Sequence, residues 1–188
     1  EILRVLVALS GLRDIGSDLE EVARALKTPL SNLGILTEYV GRKIRGYVAP
    51  EKLESVVPEL AAEADLVTRY TRFFATAAET FLSRFGKNVL EREYQQERIA
   101  NVAVDLYASL AVLSRASSAV RSIGAEKAAP EIRVARAFVQ SAKYRIVGEL
   151  KEMEKNRDRE RASERDALRS EIADAACSGA GYRFDYWG

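Results

Sequence analysis

Asn101, Asp105, Ser109 and Arg115 hold fixed places inside residues 98–121, RIANVAVDLYASLAVLSRASSAVR, a stretch otherwise rich in apolar side chains. A carboxylate and a guanidinium in such surroundings can form a buried ion pair or a hydrogen-bonded network. Each needs a partner, because an isolated buried charge is strongly unfavourable. Histidine chemistry is not open to them. The chain has no His and a single Cys, Cys177. The commonest general base is therefore missing, a thiolate zinc site cannot be assembled, no metal is expected, and no intrachain disulfide can form. A second group offers a different chemistry. Within residues 26–48, Lys27, Arg42, Lys43 and Arg45 outnumber the one acid, Glu38, which suits anionic headgroups rather than catalysis.

Long helices must position both groups. The apolar residues Ile99, Val102, Val104, Leu106, Tyr107, Leu110, Val112 and Leu113 leave the 98–121 segment almost no solvent face, so it reads as a central buried helix, running from about 89 to 123 and stopped by Gly124. Before it, Leu60, Ala64, Val67, Tyr70, Phe74, Ala77, Phe81 and Phe85 recur in steps of three and four, which predicts one helix over 59–85 with a break at Gly86. After it, Pro130 suits a first helical turn, and Ile132, Ala135, Val139, Ala142, Ile146 and Leu150 mark a helix over 131–154. Asp105 and Arg115 are expected to be a buried structural pair or network with partners on neighbouring helices, such as Arg69, Arg72 or Glu79.

With 11 Gly and 4 Pro in 188 residues, turns are few and elements long; no run alternates with period two. The expected fold class is all-α, an up-and-down helical bundle. A formal net charge of +1 exerts no global pull on nucleic acid, and none is expected as a partner. In residues 151–174 acids match bases at helical spacing, which predicts a solvated final helix, with Cys177 opening a loose tail. No run of 18 apolar residues is uninterrupted, so no membrane-crossing helix is expected.

The run RFGKNVLEREYQQERIANVAVDLYASLAVLSRAS, residues 84–117, resembles the C-terminal extension of the very-long-chain acyl-CoA dehydrogenases and of their close relative, family member nine, tied to respiratory complex I assembly. The D-L-Y block at 105–107 and the L-S-R-A-S block at 113–117 carry it most specifically. At the other edge, E-I-L-R at 1–4 is similar to the end of the family's aromatic-E-G-T-N-[D/E]-I-L-R segment, and VALSGL follows at 7–12. The likeness runs from residue 1 to about 148 and fades in the charged tail.

The resemblance implies a division of the chain: 1–12 as the end of a catalytic-domain helix, 13–176 as a C-terminal helical bundle with a membrane-associating segment at 26–48, and 177–188 as a tail. It implies that the catalytic glutamate lies just before residue 1, so that no catalytic residue falls inside the chain. It also implies that Glu1 contacts FAD held by upstream dehydrogenase domains. The partners it implies are those domains, a second copy in a homodimer, inner-membrane lipid on the matrix side of the mitochondrion and, for an assembly-factor role, complex I assembly proteins.

Leu30, Leu33, Leu36, Val40 and Ile44 form one helical stripe ending at Arg42, Lys43 and Arg45, the pattern of a helix lying in a membrane interface or of one packed on the bundle, and the resemblance implies the membrane. Changing Arg42, Lys43 and Arg45 together to Glu is expected to abolish flotation of the chain with anionic liposomes. Equal flotation of the two versions would sink this reading.

Overall fold

A computed structural model describes residues 53–155 and 164–178, together with Leu12, Gly16, Ser17, Glu20, Glu21, Arg24, Ala25, Thr37 and Glu38 from the earlier chain. The bundle is built from α1 (Ala61–Phe85), α2 (Glu93–Ile123) and α3 (Ala129–Lys155), followed by the shorter α4 (Glu164–Cys177). Among the described residues there is no strand. A 3-10 turn, Pro58–Leu60, leads into α1, and a second, Gly86–Glu91, joins α1 to α2.

Each helix ends where the chain chemistry makes it end. Gly86 at φ +51° and Gly124 at φ +82° donate their N–H groups to Leu82 O and Val120 O, closing α1 and α2. Both torsions lie where a side chain is strained, so glycine is the natural residue at each stop. Pro130 sits in the first turn of α3, where its missing N–H breaks no helical bond. The central helix begins later than its apolar pattern suggests, at Glu93 instead of about 89, because 86–91 wind as a 3-10 turn. That turn is tied down by buried Gln96, whose Nε2 donates to Val89 O at 2.7 Å.

The three long helices run up, down and up. One core cluster joins Leu60 and Val67 of the α1 end to Leu113 and Ala116 late in α2 and Ile132 and Ala135 early in α3. The other joins Ala78 and Phe81 late in α1 to Ile99 and Ala100 early in α2 and Met153 late in α3, with Leu12 packed in. Polar contacts fasten the entry to α1: Val57 N–H donates to the buried Ser117 Oγ at 3.3 Å, Arg121 donates to Ser55 O, and Arg136 donates to Glu59 O at 2.7 Å.

α2 is central but not enclosed. Val102 and Leu113 are fully buried, whereas Val104 and Tyr107 are 51% and 76% exposed and Leu110 also faces outward. This corrects the expectation of a helix without a solvent face: among the described residues α2 has two long neighbours, in an up-down-up arrangement, and Val104, Tyr107 and Leu110 lie on its remaining side. α2 is also long enough for a membrane span and contains an 18-residue stretch of mean hydropathy 1.3, a property that core helices share; here its apolar side is packed on α1 and α3. Leu113→Ala is expected to lower stability by about 2–5 kcal/mol in urea denaturation, against less than about 0.5 kcal/mol for Tyr107→Ala. Equal losses would show that Tyr107 is covered.

Candidate functional site

A polar ladder runs along the α2–α3 seam. Arg98, Asn101 and Asp105 lie three and four residues apart on α2, so they share one face. Arg145, Glu149 and Glu152 do the same on the antiparallel α3. Arg145 grips Asp105 in a two-pronged pair, Nε to Oδ2 at 3.0 Å and Nη2 to Oδ1 at 2.6 Å. Asn101 Nδ2 donates to Glu149 Oε1 at 2.9 Å. Arg98 Nε lies 3.9 Å from Glu149 Oε2.

The ladder ends in a contact with α4. Arg98 is 3% exposed, and its two terminal nitrogens donate to Asp166 Oδ2 and Oδ1 at 2.7 and 2.5 Å. Burial pulls the Arg98 pKa down; the hydrogen bonds and charge of Asp166, helped by Glu149 and Glu152, outweigh it and leave the net above the ordinary arginine value. A cation raised in this way contributes stability that is lost only as pH climbs through that raised value, so the pair is constant across the physiological range and is no pH switch. Asp166 is the buried residue of α4. Arg169 adds two peripheral contacts, 3.8 Å to Glu97 and 5.6 Å over the Tyr94 ring.

Beside the ladder is an open recess of about 550 Å³ lined by Val104, Tyr144, Gly148, Glu152 and Arg165 along with the ladder residues. A separate groove of about 410 Å³ follows the α1–α3 seam, walled by Phe73, Phe81, Phe85 and Leu150 with Arg84 and Lys151 on its rim. The recess does not fit FAD. Arg145 is taken up by Asp105, and Glu149 and Glu152 stand beside Arg165, so the recess offers no surplus of cations to a pyrophosphate. Among the described residues no group of three metal-ligating side chains comes together.

The sequence-selected residues fare differently. Asp105 has its partner on α3, not on α1 where Arg69, Arg72 and Glu79 lie. Arg115 is exposed. This corrects its expected burial: ten residues advance a helix by about three-quarters of a turn beyond two full turns, which carries Arg115 off the face of Asp105. Ser109 is buried and turns its hydroxyl back to Asp105 O at 2.7 Å. Glu1, Leu30, Leu33, Leu36, Val40, Arg42, Lys43, Ile44 and Arg45 lie outside the described residues; of 26–48, Thr37 and Glu38 are described, both helical and exposed. Cys177 is exposed at the end of α4. Sequence reasoning missed Arg98 and Asp166. The signal for Arg98 was its spacing to Asn101 and Asp105; Asp166 carries none, hidden in a run of alternating charges.

Removing one partner of a buried pair leaves the other charge stranded, so Asp166→Ala is expected to cost about 3 kcal/mol. Hydrogen exchange should quicken across α4 while α1 keeps its protection. Asp105→Ala, whose partner Arg145 is half exposed, is expected to cost less than about 1 kcal/mol. Equal costs measured by denaturation would contradict this ranking.

Comparison with known proteins bears on all these helices. The family described as "ACAD9/ACADV, C-terminal domain" matches residues 58–182. The match includes α4 and the charged tail, so the family pattern extends beyond 148, where the resemblance was expected to fade. The very long-chain specific acyl-CoA dehydrogenase, mitochondrial, of Homo sapiens is 38% identical over 121 residues, covering 62% of this chain and 18% of that protein. The proteins of the same name from Rattus norvegicus and Mus musculus are each 37% identical over the same extent. The chain thus spans less than a fifth of the length of these relatives. With the family pattern covering α1 to α4 and the seam they share, the chain belongs to the ACAD9/ACADV C-terminal domain family.

Proposed function

We propose that this chain is the non-catalytic C-terminal helical domain of a mitochondrial, FAD-dependent long- or very-long-chain acyl-CoA dehydrogenase acting in fatty acid β-oxidation. Its work is structural: it supports dimerisation and holds the enzyme peripherally on the matrix side of the inner membrane. The observation that carries this reading is the family match across the whole described bundle, with mitochondrial very-long-chain enzymes as relatives. The ladder supports it too. Its side chains pair with one another across the seam, which is how polar groups behave when they fix helices rather than move protons. Flavin chemistry is assigned to the upstream dehydrogenase domains, and no step passes through the residues of α1 to α4. Membrane contact is assigned to Leu30, Leu33, Leu36, Val40 and Ile44 with the cations Arg42, Lys43 and Arg45.

A second reading draws on the open side of the seam. Val104, Tyr107 and Tyr144 present apolar surface to solvent, the kind of patch that marks protein contact. On that reading the bundle docks proteins for a respiratory complex I assembly factor of the same family. The full-length chain separates the two. Oxidation of palmitoyl-CoA together with flotation on cardiolipin-containing vesicles is the expected result for the first. Stable co-purification with complex I assembly proteins, with no palmitoyl-CoA oxidation, would replace it with the second.

A further inference from the structure

One side chain of α2 is not explained by its surroundings. Gln95 lies seven residues before Val102 and eighteen before Leu113, close to whole numbers of turns, so it holds the core-facing register of α2. An apolar residue is the natural one there. Gln95 is 6% exposed, and among the described residues no group hydrogen-bonds its side-chain amide. Neighbouring Gln96 shows the contrast, with its amide donating to Val89 O at 2.7 Å. A buried amide left without a partner is destabilising, so Gln95 calls for a reason.

Gln95 lines the α1–α3 groove together with Tyr70, Phe73, Phe81, Phe85 and Leu150. Leu12 packs in the cluster that includes Phe81 and Met153, and about 410 Å³ of the groove stays open with Leu12 seated. That volume suits a small-molecule site, as do apolar walls with very few polar groups. The groove is long rather than round, since Tyr70 to Phe85 cover about 22 Å of α1. No Asp or Glu is among the described residues that line it. Arg84 on the rim already has a partner within the chain. That leaves Lys151, which is exposed and has no ion pair with any described residue. Glu149 lies level with Arg98, so Lys151 and Gln95 come within about one turn of each other along the bundle.

We propose that the groove binds a free long-chain fatty acid, with its carboxylate held by Gln95 Nε2 and the Lys151 ammonium and its chain laid along the aromatic walls towards Phe73 and Tyr70. The head has to be an anionic acceptor, because the groups that await it are an amide donor and an unopposed cation. A phosphate head is less suited, since its second charge would find no second free cation. The body has to be narrow, flexible and apolar, because it lies in a trough between two helices whose wall at Phe73 is 54% exposed. Occupation gives the Gln95 amide the acceptor that the chain itself withholds. The site goes beyond the structural role proposed above and does not rest on it.

Equilibrium dialysis of the 188-residue chain against myristate, kept below its micelle concentration, tests the site. One equivalent is expected to bind saturably. Lys151→Glu, at an exposed position, and Gln95→Leu, which keeps the size of the side chain, are each expected to raise the dissociation constant about tenfold or more. Gln95→Leu carries a second readout. Without ligand it is expected to melt above the wild type, because an unpaired amide gives way to an apolar group. A lower melting temperature would mean that the amide has a structural partner, and it overturns the proposal. Methyl myristate, which lacks the charge, is expected to bind about tenfold or more weakly, and equal binding overturns the carboxylate contact. Lysophosphatidylcholine with the same chain is expected not to compete. Competition makes the occupant the tail of a membrane lipid and overturns the free acid. Absence of myristate binding, or binding indifferent to both substitutions, overturns the site.

Discussion

The packing of Leu60, Val102 and Leu113 against Ile132 and Val139 is the contact on which the rest of the bundle depends. Leu60, Val102 and Leu113 have no exposed surface, and they come from the entry to α1 and two points eleven residues apart on α2. Burial on this scale is non-directional, so it brings helices together without fixing their register. The register comes from polar groups at the edge of the dry zone. Ser117 receives Val57 N–H, and Arg136 reaches Glu59 O from the start of α3. With those contacts in place α2 runs antiparallel to both neighbours, and the polar faces of α2 and α3 have to meet.

The Arg98–Asp166 pair belongs to a different physical regime. Taking a guanidinium out of water is unfavourable, and what offsets it is a planar fork meeting both oxygens of one carboxylate, with Glu149 as a second, looser neighbour. Two parallel bonds fix an angle as well as a distance. The first turn of α4 is therefore set against α2 by direction, not by apolar area. The Asp105–Arg145 pair has the same fork geometry but a half-exposed arginine, so water competes for it and its energetic role is smaller. Position along one seam, from solvent at Asp105 to the interior at Arg98, decides which of two similar pairs matters.

Much of this was legible in the sequence. The steps of three and four in 59–85, the stop at Gly124 and the proline at 130 located three helices to within a few residues, because each signal is local to the helix that carries it. The stripe of α1 and the core face of α3 read correctly for the same reason. The solvent side of α2 did not: Val104, Tyr107 and Leu110 are as apolar as Val102 and Leu106, and exposure depends on how many neighbours a helix has, which its own residues do not state. Arg115 was misplaced because a polar exception in an apolar run was equated with burial, whereas its angular position alone takes it off the face of Asp105. The partnership of Arg98 with Asp166 spans 68 residues and crosses a stretch of balanced charge, so spacing within either segment carries no trace of it.

The two regimes also divide the bundle by cooperativity. α1, α2 and α3 share two apolar clusters, so loss of any one uncovers the others and the three should open together. α4 contributes to neither cluster, and its buried residue is charged. It can leave the bundle without exposing the apolar core; what is lost is the pairing of Asp166 with the guanidinium of Arg98. The ion pair thus localises one end of α4 while leaving its apolar side available. A helix fixed through its first turn by a directional bond, and bare along the rest, keeps its orientation when free and loses little freedom on binding, which is the condition under which a short contact helix can be effective.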